Sequence, residues 1–184
     1  MLKFSKLEIK ELVKAWIIIS LMFAIAMVGI NAKLPFVLLI TLITAGVGFM
    51  LHELAHKFVA QKYSCWAEFR ANDSALIIGL LLSFTGFIIA APGGVYIHGA
   101  TRHQHGKIAL AGPMMNVLLA VLFYLSANFS GAIGLYGFYI NSLLGMFNLI
   151  PFPPFDGFAV WEWNKAAYIV SIVIAGGLFV VATV

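Results

Sequence analysis

The chain has 184 residues, enough for about one domain, and is 62% apolar and 10% charged with a mean hydropathy of +1.02; these values exclude an ordinary water-soluble protein. Its net charge of +4 would suit a nucleic-acid binder, but the lysines and arginines are scattered along the flanks of apolar runs, where they report membrane topology instead. The single cysteine, Cys65, excludes an internal disulfide and a cysteine-built metal site, and reads as a small loop residue.

Apolar runs cover residues 15–30, 34–51, 74–91, 108–127, 131–151 and 166–184, most of them near the ~20 residues a spanning helix requires. Ahead of the first run, residues 2–14 alternate Leu2, Phe4, Leu7, Ile9 and Leu12 with charges, which predicts a short amphipathic helix on the membrane surface followed by a retained first spanning helix. With a cytoplasmic amino terminus the first helix leaves and the second returns, so Lys57, Lys62 and Arg70 face the cytoplasm. The third run contains Gly79 and Gly86 and ends in Pro92-Gly93-Gly94. A plain crossing there would place Arg102 and Lys107 outside, against the positive-inside bias. A segment that enters and leaves by one face, or packs on the bundle, puts every lysine and arginine except Lys33 on the cytoplasmic side, and it suits a glycine-broken run. A plain sixth crossing stays open. Residues 93–99, β-branched and aromatic between glycines, predict a small strand or hairpin at the interface.

The second run leads into His52-Glu53-Leu54-Ala55-His56. On a helix, histidines four apart share a face and can bind one zinc ion, leaving Glu53 beside the water that takes a remaining position. Of seven acidic residues, Glu8, Glu11, Glu68, Asp73 and Glu162 fall in expected surface segments, which leaves Glu53 and Asp156. Ionisable groups at membrane depth are costly and usually face a cavity or a metal. Asp156 ends the segment Asn148-Leu149-Ile150-Pro151-Phe152-Pro153-Pro154-Phe155-Asp156-Gly157, whose prolines prevent a continuous helix. His56 precedes Lys62 and Asp156 precedes Glu162 by the same number of residues, ~9 Å at helical rise, so both lie at similar depth. The plainer alternatives are a histidine pair hydrogen-bonded between helices, and Asp156 merely paired with a histidine.

Together with Ala111-Gly112-Pro113-Met114-Met115-Asn116, these motifs resemble the site-2 protease family of intramembrane zinc metalloproteases over roughly residues 34–165. The resemblance implies one zinc ion held by His52, His56 and Asp156, with Glu53 as the general base that helps water attack a peptide bond. Phe155 departs mildly from the leucine common at that position. The fold implied is an all-α polytopic membrane protein, a single domain over 1–184, with five to six transmembrane segments, a re-entrant element and a small β-hairpin near the active site. The hairpin would hold substrate in extended form. Implied partners are a transmembrane protein substrate and the lipid bilayer, with no nucleic acid; the implied location is the cell membrane, multi-pass, with the site opening toward the cytoplasm. Asn116 and Asn148 stand evenly between helix glue and a role in substrate binding or oxyanion stabilisation. His98, His103 and His105 read as a solvated loop rather than a second metal site, and Trp161 and Trp163 as an interfacial aromatic belt. Two other function classes use the same features: a zinc or cation transporter, disfavoured by the lack of second-half symmetry, and a catalytically idle binder of membrane helices, disfavoured by the intact Glu53.

Overall fold

The computed structural model describes residues 3–88 and 93–184. Leu2 and the 89–92 end of the third apolar run, Pro92 included, lie outside the described residues. Helix α1 (Lys6–Val28) starts at Ser5, whose Oγ accepts the Glu8 N–H at 3.0 Å. No glycine or proline interrupts it, so the amphipathic segment expected over 2–14 is not a separate surface helix but the first turns of α1. Leu12 and Ala15 already pack into the same core cluster as Ile19 and Phe23.

Glu8 and Lys57, both expected to face water, are 0% and 2% exposed and pair with each other. The Lys57 ammonium donates to both Glu8 carboxylate oxygens at 2.7 and 2.8 Å and to the Ala67 carbonyl at 2.8 Å. Glu8 also accepts the Phe69 N–H at 3.0 Å, and the Phe4 ring lies 4.8 Å from the Lys57 nitrogen. Partners from three elements replace the water that each charge would otherwise require.

Helix α2 (Leu34–Thr41), a π-helical turn (Leu42–Gly46) and α3 (Val47–Lys62) run on as one helix. The wider turn leaves carbonyls for other partners. The Trp16 indole N–H donates to the Leu42 carbonyl at 3.0 Å, and Thr41 Oγ1 donates across to the Ser20 carbonyl at 2.8 Å. Gly46 permits this approach, since a Cβ there would overlap the Ser20 and Trp16 side chains.

The strand expected over 93–99 exists as β2 (Gly93–His98), but it is not half of a local hairpin. Its antiparallel partner is β1 (Trp66–Ala71), in register from Trp66↔His98 to Ala71↔Gly93. Between them lies α4 (Asp73–Ser83), whose 11 residues span about 16 Å, far short of a ~30 Å hydrocarbon core. Because Ala71 and Gly93 pair, the intervening segment leaves and rejoins the sheet at the same end. Helix α4 packs on α1, where Lys14 donates to Asp73 at 2.6 Å.

Helix α5 (Arg102–Ser130) begins inside the stretch expected to be loop. Thr101 and Gln104 form a reciprocal capping box, so His103 and His105 lie in its opening turns. Helices α6 (Ala132–Asn148), α7 (Asp156–Trp163) and α8 (Lys165–Thr183) complete the chain, and α5 sits at the centre, packed on α3, α6 and α7. Among the described residues four helical stretches are long and apolar enough to cross a membrane: Lys6–Val28, Leu34–Lys62, Arg102–Ser130 and Lys165–Thr183. Helix α6, with 17 residues, is at the lower limit of spanning length. Leu39, Leu125, Phe129 and Val173 turn outward and are largely exposed, as lipid-covered side chains would be.

Candidate metal centre

Two helices converge on one point. Helix α3 supplies His52 and His56 from successive turns of one face, and α7 supplies Asp156 from its first turn. Their ligand atoms all lie within 4.8 Å of one another. Asp156 Oδ2 is 3.2 Å from Nε2 of each histidine, and the two Nε2 atoms are 3.0 Å apart. Both rings and Glu53 are buried, and the Asp156 side chain is 22% exposed.

The opposite ring nitrogens are already committed. His56 Nδ1–H donates to the Ile108 carbonyl at 2.7 Å, and His52 Nδ1 lies 2.6 Å from Asn116 Oδ1. In the neutral imidazoles each Nε2 then presents a lone pair, and two lone pairs face a carboxylate oxygen across about 3 Å. Three acceptors in that arrangement repel unless a cation sits between them. Two imidazoles and a carboxylate are the donor set that zinc takes when it keeps a position open for water, and carbonyl acceptors on the outer nitrogens hold metal-ligating histidines in orientation. The backbone has made room as well. A Cβ at Gly112 would overlap His56 Nε2 and lie 2.5 Å from His52 Nε2. The residues present therefore fit a metal ion.

Glu53 follows His52 on α3 and lines the same cavity, where its Oε2 is buried without a hydrogen-bond partner. A buried carboxylate oxygen left unpaired is costly, and one on the wall of a cavity is available to a water or substrate group. The cavity has a volume of about 490 Å³ and is walled by the β2 backbone, Phe49, Ile108, Leu144 and the 153–156 segment, a size usual for ligand sites. Gly157 lets that segment close on α6, since a Cβ there would overlap the Leu149 carbonyl.

The remaining expected residues divide. Asn116 is fully buried, and its Nδ2 donates to the Gly48 carbonyl at 3.2 Å and to Asn141 Oδ1 at 3.1 Å. Asn148 lines the cavity half-buried, with Nδ2 donating to the Leu144 carbonyl at 2.9 Å. Of the other histidines, His98 stacks near Trp66 and His103 accepts the Trp163 indole N–H at 2.8 Å. His105 is exposed at the cavity wall. None of the three joins a metal-capable cluster among the described residues. Trp163 packs against Gly106 and pins the end of α7 to the start of α5, where Arg102 also pairs with Glu162 at 2.9 Å. Sequence reasoning missed Gly112 as a clearance, the Ile108 carbonyl and Asn141. A polar residue inside the fifth apolar run was the signal for the last.

The chain is similar to two proteins whose names agree with this donor set. It is 42% identical over 171 residues to "Putative zinc metalloprotease MJ0611" of Methanocaldococcus jannaschii, covering 88% of this chain and 87% of the relative. It is 28% identical over 150 residues to "Putative zinc metalloprotease YwhC" of Bacillus subtilis, covering 68% of this chain and 67% of that relative. No family model and no solved structure matches. With nearly the whole of both chains aligned at 42% identity, the protein belongs to the zinc metalloprotease family of its archaeal relative.

Proposed function

We propose that the chain is an intramembrane zinc endopeptidase of the site-2 protease type, cutting peptide bonds in transmembrane segments of membrane proteins. The observation that carries this reading is the meeting of two histidine Nε2 atoms and Asp156 beside the unpartnered Glu53 oxygen, on helices apolar enough to cross a membrane. His52, His56 and Asp156 hold one zinc ion. When bound, zinc polarises the scissile carbonyl and acidifies water. Glu53 Oε2 takes the proton of the attacking water and returns it to the leaving amine. The surrounding apolar wall keeps bulk water from Glu53 and strengthens its interaction with that proton. A substrate helix must unwind locally, because its carbonyls are engaged along the helix. The β2 strand, on the cavity wall, pairs only with β1 among the described residues, and its other edge suits an extended segment. Asn148, on the same wall and with one Nδ2 proton beyond its bond to the Leu144 carbonyl, donates to the substrate in this reading.

In the bilayer the reading has five crossings, α6 joining the four longer helical stretches, and the 72–88 segment re-enters from the cytoplasmic side. The meeting of Ala71 and Gly93 supports that path. The whole chain, 1–184, forms one membrane domain of the cell membrane, with the cavity open to the cytoplasm and a membrane-protein substrate as partner.

Zinc per detergent-purified chain tests the reading without a known substrate. About one tightly held zinc is expected in the wild type, lost in both His56→Ala and Asp156→Ala. A folded wild type that neither carries zinc nor takes it up would overturn it.

A further inference from the structure

We infer that Asn141, which touches neither the metal position nor the cavity, is a positioning residue that acts through Asn116 to dictate which nitrogen of His52 faces the metal. The inference rests on the zinc reading above. Its starting point is a pair of groups with no choice of role. Asn141 lies 2.9 Å from the Gly137 carbonyl on α6 and 3.5 Å from the Thr44 carbonyl in the π-helical turn, both through Nδ2. Backbone carbonyls only accept, so the Asn141 amide must turn its NH2 toward them and its Oδ1 away. Oδ1 then receives one Asn116 Nδ2–H at 3.1 Å, while the other goes to the Gly48 carbonyl at 3.2 Å. With both donors spent, Asn116 has only its oxygen left for His52, 2.6 Å from Nδ1. An oxygen accepts, so His52 must carry its proton on Nδ1, and Nε2 is left with the lone pair that points at His56 and Asp156.

The polarity of the chain thus runs from two backbone carbonyls, through two amides, to one imidazole. Turning Asn141 over would set its oxygen against the Gly137 and Thr44 carbonyls and its NH2 against that of Asn116, and turning Asn116 over would set its oxygen against the Gly48 carbonyl and Asn141 Oδ1. Both asparagines are 0% exposed, so no water can repair such a mismatch. The close fit is enforced by Gly48, where a Cβ would overlap Asn141 Oδ1. Simple helix glue would need only some hydrogen bond between α5 and α6. This network is satisfied in one direction alone.

A double-mutant cycle in zinc affinity tests the inference, using zinc-free protein in detergent titrated against a chromophoric chelator. Wild type, Asn141→Leu, Asn116→Leu and the double variant are compared, with thermal unfolding of each zinc-free form alongside. Loss of one outer-sphere partner costs ~10–100-fold in metal affinity. We expect Asn141→Leu to weaken zinc about 10-fold, Asn116→Leu to weaken it more, and the double variant to be no worse than Asn116→Leu. Imidazole nitrogen NMR of the zinc-free chains supplies a second signature: His52 as the Nδ1–H form in the wild type and a mixture with Nε2–H in Asn141→Leu. Where the leucine variant does not fold, Asn141→Ser removes the amide with less bulk and is expected to act alike. Wild-type zinc affinity in a folded Asn141 variant, losses that multiply in the double variant, or an unchanged His52 tautomer would each overturn the inference. A wild type that binds no zinc would instead sink the metalloprotease reading, leaving the NMR comparison as the test of the network.

Discussion

Removing Glu8 while leaving Lys57 in place is the sharpest test of how the fold is held together. In the structure the Lys57 ammonium uses all three of its protons, two on Glu8 and one on the Ala67 carbonyl, at 2.7 to 2.8 Å. Glu8→Ala strips away two of the three acceptors and the compensating charge, and also orphans the Phe69 N–H. With Lys57 2% exposed, water cannot fill in without opening the contact between α1 and β1. Breaking a buried pair by removing one partner costs ~3–5 kcal/mol, and an orphaned amide adds ~1 kcal/mol or more. The expected loss is therefore about 4–6 kcal/mol, comparable to the whole stability of a marginal domain. Reversible unfolding in mixed micelles, followed by circular dichroism, reads it. The apolar double replacement Glu8→Leu with Lys57→Met should cost less than either single change, because no charge is left unpaired. A Glu8→Ala loss under ~1 kcal/mol, the level of an exposed pair, or a double variant costing the sum of the singles, would refute the assigned burial.

On the proposed reading, in which Glu53 carries the proton and is not a ligand, Glu53→Gln should reduce cleavage of a panel of tagged membrane helices by ~10²–10⁴-fold or more while zinc content stays near wild type; persistent cleavage with contaminating protease removed would reject that role. Gly112→Ala should abolish tight zinc binding with the helical circular dichroism spectrum preserved, because the new methyl would occupy the space in front of both Nε2 atoms, and wild-type zinc content in that variant would contradict the assigned centre. Arg102→Ala should change stability by ~1 kcal/mol at most, since its bond to Glu162 is exposed on both sides; a loss of several kcal/mol by the same unfolding assay would show that the α5–α7 clasp bears on the site.

What could be read from the chain before its structure was what chemistry restricts to few residues. Acidic groups are so scarce in this sequence that a membrane-depth pair of histidines had almost one carboxylate to meet, and the structure brings Asp156 to them. Strand β2 was legible from its glycine-bounded composition. Strand β1 was legible in principle, since Ala67 and Phe69 alternate with Glu68 and Arg70, but six residues beside a helix end are easily passed over. The Glu8–Lys57 pair was not legible at all. Its members are 49 residues apart and each sits in a locally charged stretch that reads as surface, and only the folding of β1 over α1 buries them. The π-helical turn is likewise a consequence of packing, because nothing in Leu42–Gly46 marks it apart from the glycine that Trp16 and Ser20 press against.

Helix α5 shows how little sequence is needed to build the centre once two helices run antiparallel. Ile108, Gly112 and Asn116 recur every four residues and so share one face. Ile108 holds His56 by its carbonyl, Asn116 holds His52 by its side chain, and Gly112 between them leaves the space into which both Nε2 atoms point. The histidines are one turn apart, ~6 Å, and their two anchors two turns apart, ~12 Å. Each ring is therefore held from the outer side of the pair and its free nitrogen is directed inward. The same spacing explains why an alanine at the middle position would be more damaging than at either end. Ile108 holds His56 through its backbone, so a smaller side chain there would loosen the buried packing and the cavity wall without filling the space, Asn116 can be weakened without filling it either, but Gly112 guards the one volume that a metal, the two imidazoles and Asp156 would share.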